Sequence, residues 1–97
     1  MPTREILATF WRDWERLSPQ QQRAFRDALT KFLEDLRAGH GIRRGLRVKG
    51  VQGAPGIFEL TWAPDGRATF EFGKPVREGE PHVIWRRIGT HDVLDAA

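Results

Sequence analysis

Residues 58–72 read FELTWAPDGRATFEF and predict a β-hairpin. On both sides of the central turn, apolar residues alternate with polar ones, as in strands that bury one face. Residues 63–66 (APDG) have the composition of a tight turn, because proline fixes its φ, aspartate bonds its own backbone and glycine accepts a positive φ. We therefore expect strands over Ile57–Trp62 and Arg67–Phe72.

The alternation gives the hairpin two chemically different faces. The apolar positions are Phe58, Leu60, Phe70 and Phe72. The polar positions are Glu59, Thr61, Arg67, Thr69 and Glu71. We expect helices to cover the apolar face, which leaves the polar face for a ligand.

Further elements flank the hairpin on both sides. A loop over Gly73–Pro81 leads to a third strand, Val83–Ile88. The segment Leu46–Val51 is compatible with a strand or with an extended loop. At the N-terminus, Arg4–Ala8 suggests a short strand, and a continuous helix that begins at Thr3 is the alternative.

A long amphipathic helix is predicted from Pro19 to about Ala38. Ser18 caps it, and Gln21 completes a capping box three residues later. Gly39 ends it. A shorter helix precedes it, with Thr9 as the expected cap. Helices followed by consecutive strands are typical of an α+β fold, here a helix pair on one face of a small antiparallel sheet.

Length and composition limit the classes of protein. Ninety-seven residues make a single domain, over 1–97. The chain has no cysteine, which fits a reducing cytoplasm and excludes a thiol nucleophile. No apolar run reaches the roughly 20 residues of a membrane span. We expect a cytoplasmic protein with no membrane partner.

The basic residues point to nucleic acid. The net charge is +3, and thirteen of the sixteen basic residues are arginine. Arginine binds phosphate bidentately and stacks on bases. An excess of three charges is also common on ordinary solvated surfaces, so charge alone leaves both interpretations open.

Several kinds of catalytic site are excluded by the residue inventory. Ser18 is the only serine and is used as a helix cap, and the chain has no tyrosine. The three histidines (His40, His82 and His91) are far apart, so we expect neither a metal site nor a cofactor. The remaining arginine, lysine and histidine side chains suit RNA cleavage, because RNA supplies its own nucleophile, the 2′-hydroxyl.

Four segments together resemble the RelE/ParE toxin superfamily. They are LRVKG (46–50), GIFELTW (56–62), GRATF (66–70) and RIGTHD (87–92). The Gly-Thr-His segment is similar to the YafQ-like branch. The helical half also resembles the superfamily, with a Leu-Ser-Pro break between its two helices.

The resemblance implies both a partner and an activity. It implies a type II toxin, an endoribonuclease that cleaves mRNA, in many members on the ribosome, and that is inhibited by a cognate antitoxin protein. We hypothesise that cleavage needs no metal. The alternatives are a non-catalytic protein of the same fold, which binds gyrase or only its antitoxin and DNA, and a plain basic interaction domain.

The resemblance also assigns site residues. His91 matches the catalytic histidine, Arg67 matches an active-site arginine, and Arg87 lies in the last strand, where basic residues are frequent. A basic stretch that binds RNA in some members corresponds to Arg47 and Lys49. The expected RNA contacts are Arg43, Arg44, Arg47 and Lys49.

We expect Arg47, Lys49, Arg67 and Arg87 to converge on one concave surface. Asp95 stands near a position where the YafQ-like branch often has an aromatic residue.

Overall fold

A short strand and two helices come first along the chain, and most of the sheet follows. The computed structural model describes residues 2–97. Its helices are α1 Ala8–Glu15 and α2 Pro19–Ala38, with short 3-10 helices at Arg44–Leu46 and His91–Ala96. Its strands are β1 Thr3–Ile6, β2 Lys49–Gly50, β3 Phe58–Thr61, β4 Gly66–Gly73 and β5 His82–Thr90. The predicted α+β class, with a helix pair packed on one face of a small sheet, is confirmed.

The five strands form one sheet in the order β1-β5-β4-β3-β2. The hairpin and its neighbours are antiparallel, but β1 pairs with β5 in parallel, from Thr3 opposite His82 to Ile6 opposite Trp85. The sheet is therefore mostly antiparallel, as predicted, with one parallel pair at this edge. A parallel pair needs a long crossover connection, which the helices and the hairpin supply. Within Leu46–Val51, only Lys49–Gly50 is a strand.

The turn of the hairpin forms where it was predicted, but its glycine has a different role. Gly66 does not have a positive φ. A Cβ atom at this position would lie 2.6 Å from the indole ring of Trp62. Glycine is thus needed because Trp62 packs directly against the backbone of the turn.

The boundaries of α2 agree with the prediction. The backbone N–H of Gln21 donates to Ser18 Oγ at 3.1 Å, and that of Ser18 donates to Gln21 Oε1 at 2.8 Å, which is a complete capping box. Gly39 ends the helix with a φ of 73°. In α1 the expected cap is wrong. Leu7 occupies the cap position, whereas Thr9 lies in the first turn and donates to the carbonyl oxygen of Arg86 at 2.8 Å.

The core lies between the helix pair and the apolar face of the sheet. Phe32 of α2, Phe70 of β4 and Leu60 of β3 are fully buried. The ring of Phe32 lies 5.0 Å from that of Phe70. Phe72 is an exception to the expected core, since it is 48% exposed, although its ring forms T-shaped pairs with those of Phe58 and Phe70. Within residues 2–97, no helix combines the length and apolarity that crossing a bilayer requires.

Candidate active site

One row of side chains crosses the polar face of the sheet. Lys49 of β2 lies opposite Glu59 of β3, and Glu59 lies opposite Thr69 of β4. Thr69 in turn lies opposite Arg87 of β5. Paired positions in a sheet present their side chains on the same face. These four residues, the polar row, therefore span the sheet from β2 to β5.

A cavity of about 490 Å³ lies at the β2 end of the polar row. Its lining residues are Lys49, Gly50, Val51, Gln52, Glu59, His91, Leu94 and Asp95. This polar cavity brings a lysine, a histidine and two carboxylates together from three separate parts of the chain. Two of the predicted site residues, His91 and Lys49, meet here.

His91 reaches the polar cavity because the chain turns back over the sheet after β5. It is the first residue of the C-terminal 3-10 helix, and its side chain is exposed. Val93 of this helix packs on Gly89, where an added Cβ would lie 2.8 Å from Val93 Cγ1. Glycine at position 89 thus allows the close approach that positions His91.

Glu59 is the buried acid of the polar cavity, with 6% of the residue exposed. Its Oε1 lies 3.8 Å from Nε of Arg67. The Nη1 of Arg67 donates to the carbonyl oxygens of Ala63, Pro64 and Gly66, at 3.4, 3.3 and 3.0 Å. Arg67 therefore does not line the cavity. It lies behind Glu59, with its guanidinium folded onto the turn between β3 and β4.

Arg87 lies at the opposite end of the polar row from the cavity. Its Nε and Nη2 donate to the two carboxylate oxygens of Asp13 at 2.7 and 3.1 Å. Asp13 is only 8% exposed and also accepts from the backbone N–H of Ile88 at 3.1 Å. The hydrogen bond to Asp13 raises the pKa of Arg87 above its ordinary value. This interaction joins α1 to β5, and it directs the guanidinium away from the cavity.

A β-bulge changes the expected directions of the two arginines in β5. The register passes from Thr69 opposite Arg87 to Phe70 opposite Trp85, which leaves Arg86 as the extra residue. In a regular strand, neighbouring residues such as Arg86 and Arg87 point to opposite faces. Instead, Arg86 donates to Glu71 of the polar face at 2.8 Å, and to the carbonyl oxygen of Ala97 at 2.9 Å.

The basic segment before β2 divides into engaged and exposed residues. Arg43 donates from Nε and Nη2 to the carboxylate of Asp35, each at 2.9 Å, and contacts Glu34 at 3.2 Å. It thereby clamps the end of α2. Arg44 and Arg47 are exposed, and neither forms an ion pair with any residue in the range 2–97. Arg47 has a φ of 49°, in the left-handed region that residues other than glycine rarely adopt.

The predicted convergence of four basic residues on one concave surface is therefore wrong. Of Arg47, Lys49, Arg67 and Arg87, only Lys49 lines the polar cavity. Sequence reasoning also missed Gln52 and Leu94, because nothing in their local pattern marks them. The alternation did place Glu59 on the polar face, and only the register shows that it stands opposite Lys49.

The polar cavity contains the groups that proton transfer and charge stabilisation require. Imidazole and carboxylate side chains can exchange protons with a substrate, and an ammonium group can stabilise developing negative charge. Among residues 2–97, no cluster of three or more His, Cys, Asp or Glu side chains is arranged to hold a metal ion.

Comparison with known proteins identifies the fold. No protein-family model and no curated protein matches the chain. A chain of the DinJ–YafQ complex of E. coli matches with 14% identity and a TM-score of 0.66, over 97% of this chain and 98% of that one. A YoeB/ParE toxin from Agrobacterium tumefaciens matches with 12% identity and a TM-score of 0.66, over 92% and 98%. A chain of the RelB–RelE antitoxin–toxin complex from Methanococcus jannaschii matches with 14% identity and a TM-score of 0.58, over 95% of each.

These matches cover almost the whole chain, so the fold is that of the RelE/ParE toxins. The predicted resemblance is confirmed at this level. Sequence identities of 12 to 14% relate the chain to these proteins through its fold alone.

Proposed function

We propose that this chain is the toxin of a type II toxin–antitoxin pair, and that it is an endoribonuclease that cleaves mRNA in the cytoplasm. The observation that carries the proposal is the polar cavity, where His91 and Lys49 lie together with buried Glu59. The fold supports it, since the solved relatives include toxins and antitoxin–toxin complexes.

The reaction uses the 2′-hydroxyl of the RNA as its nucleophile. The 2′-oxygen forms a bond to phosphorus while the bond from phosphorus to the 5′-oxygen breaks. One proton leaves the 2′-hydroxyl and another is delivered to the 5′-oxygen. The products are a 2′,3′-cyclic phosphate and a 5′-hydroxyl end, and the reaction consumes no cofactor and needs no metal.

We assign the proton transfer to His91, because imidazole can act as acid or base near neutral pH. Lys49 lines the same cavity and stabilises the charge that develops on the phosphate. Glu59 is the second candidate for proton transfer. Arg67, 3.8 Å from Glu59, holds that carboxylate and adds positive charge behind it. Arg87 supports the far end of the polar row, and its guanidinium would have to leave Asp13 to reach the scissile phosphate.

The exposed basic segment before β2 binds the RNA strand outside the cavity. Arg44 and Arg47 are exposed there, adjacent in sequence to Lys49 of the cavity. Because they have no carboxylate partner among residues 2–97, binding phosphate does not require an existing ion pair to break. Arg43 contributes less, since its guanidinium is held by Asp35 and Glu34.

The cognate antitoxin is the proposed protein partner. An apolar groove of about 380 Å³ lies between the helix pair and β1, away from the polar cavity. Its lining includes Phe10, Trp11 and Leu29, and Trp11 is 50% exposed. Arg4 and Arg26 also line this groove, so an acidic amphipathic segment would complement it in charge as well as shape.

The test is to induce the chain in cells, map the new mRNA ends and repeat the cleavage with purified protein. RNA is presented free and on translating ribosomes, with and without EDTA. We expect cleavage to persist in EDTA and to leave 5′-hydroxyl ends. Replacing the attacked 2′-hydroxyl with hydrogen should abolish cleavage, because the nucleophile is removed. If neither free nor ribosome-bound RNA is cut, the nuclease proposal is wrong.

A further inference from the structure

Helix α1 carries two arginines that the described part of the chain leaves without a carboxylate partner. Arg12 lies in the last turn of α1 and Arg16 is its C-cap residue, one helical turn further on, and both are exposed. Like charges at this spacing repel each other, and the dipole at the C-terminal end of α1 offsets part of that repulsion. Both arginines line a pocket of about 220 Å³ at the junction of α1 and β5, together with Thr9, Asp13 and Arg87. We call it the arginine pocket.

Among residues 2–97, the one acid that lines the arginine pocket is Asp13, and it already accepts three hydrogen bonds. Asp13 accepts two hydrogen bonds from Arg87 and one from the backbone of Ile88. It can therefore neutralise Arg87, but Arg12 and Arg16 remain uncompensated. The bonds from Arg87 use Nε and Nη2, while Nη1 has no hydrogen bond to any residue in the range 2–97. Asp13 thus fixes the guanidinium group of Arg87 and leaves its Nη1 available to donate to a ligand.

The arginine pocket and the polar cavity lie at the two ends of the polar row. Lys49 of the row lines the cavity, and Arg87 of the row lines the arginine pocket. Three strand spacings separate these two positions, which is about 14 Å at the usual distance between strands. Thr69 in the middle of the row is fully buried, so an RNA strand that joins the two sites passes over the side chains that cover it. Phosphates in a stacked strand are about 3.4 Å apart along the axis, so the straight distance corresponds to about four stacked nucleotides, or fewer extended ones.

We infer that the arginine pocket is a second phosphate-binding subsite, which holds the RNA strand a few nucleotides from the bond cut in the polar cavity. The inference rests on the proposed function and names a binding site for the same substrate. Phosphate fits the pocket because planar guanidinium groups bind its oxygens with paired hydrogen bonds. Two uncompensated arginines beside a third, fixed one give the pocket a net positive charge.

The test measures binding of oligoribonucleotides whose 2′-hydroxyls are methylated, so that they cannot be cleaved. They are lengthened one nucleotide at a time from the dinucleotide. Wild-type affinity should rise in a step at the length that reaches the second subsite. In the double variant R12Q/R16Q this step should disappear, with a decrease in affinity of about tenfold for the longer strands. The slope of log affinity against log salt should become shallower by about 0.7 for each phosphate that the variant no longer neutralises.

The matched control is R23Q/R37Q, which removes the same charge from exposed positions on α2. If R12Q/R16Q binds every length as the control does, the subsite is overturned, even where RNA cleavage has been established. The same holds if an acidic peptide, but no oligonucleotide, binds less tightly to R12Q/R16Q, because the pocket would then serve a protein partner. If the length step depends on Arg12 and Arg16 although no RNA is cleaved, the subsite stands and the nuclease proposal fails.

Discussion

The two faces of the sheet differ in what their side chains can do. The face under the helices is aromatic and closed, with Phe32 of α2 buried against Phe70 and Trp85. The opposite face holds charges, from exposed Lys49 to the buried carboxylate of Glu59. Alternation along the strands lets each face be set almost independently of the other. Substitutions on the two faces should therefore affect different measurements, stability in one case and activity in the other.

The largest effect should follow from opening the closed face. Phe32→Ala removes a fully buried ring and should lower the free energy of unfolding by about 3–5 kcal/mol. The matched control is Phe72→Ala. Phe72 is 48% exposed, so this substitution should lower the free energy of unfolding by about 1 kcal/mol or less. Urea unfolding of both variants measures the difference. Equal losses would mean that the helices do not define the closed face as described.

On the polar face the corresponding change should affect activity rather than stability. His91→Ala should lower the RNA cleavage rate by about 100-fold, the usual contribution of a general acid or base. Its unfolding free energy should stay within about 0.5 kcal/mol of wild type, because His91 is exposed. His40→Ala, another exposed histidine, is the control and should cleave normally. Cleavage by His91→Ala at the wild-type rate would transfer the assignment to Lys49 or Glu59.

Asp13 tests the point where the closed face and the polar face meet. Asp13→Asn keeps the shape but removes the charge that holds Arg87 and bonds to the backbone of Ile88. We expect a loss of about 2 kcal/mol in unfolding free energy, the range for hydrogen bonds that involve charged groups. Asp27→Asn, at an exposed position of α2, is the control and should change stability little. If the two variants are equally stable, the contact between Asp13 and Arg87 does not hold α1 to the sheet.

The fold was predictable because its signals are local. The capping box at Ser18 and the alternation of residues 58–72 depend only on neighbouring residues, and both predictions are confirmed. The parallel pairing of β1 was not predictable, since it joins Thr3 to His82 across most of the chain. The exposure of Phe72 likewise depends on how far the helices extend over the sheet, which periodicity does not report.

The candidate site was predictable only in part, for a related reason. Motif resemblance proposed His91 as a site residue, and alternation placed Glu59 on the polar face, but neither gives distances. The direction of Arg87 depends on a bulge at Arg86 and on buried Asp13 in α1, which are tertiary features. Arg67 was expected in the site and instead lies behind Glu59. Long charged side chains were thus the least predictable, because the choice of partner fixes their direction.

The smallest effect should come from removing the ion pair between Arg43 and Asp35, which lies on neither face of the sheet. The hydrogen bond from Arg43 lowers the pKa of Asp35. A carboxyl group whose pKa falls on folding stabilises the fold above its pKa in the unfolded chain, about 3.9 for aspartate. That contribution is lost as the pH drops through the lower pKa of the folded state. Arg43→Gln should therefore unfold at lower urea than wild type at neutral pH, and the gap should narrow as the pH falls below about 3.9. Arg44→Gln, next to it and exposed, is the control and should show no such gap. A gap for Arg43→Gln that persists unchanged in acid would mean that Arg43 stabilises α2 by packing and not by its charge.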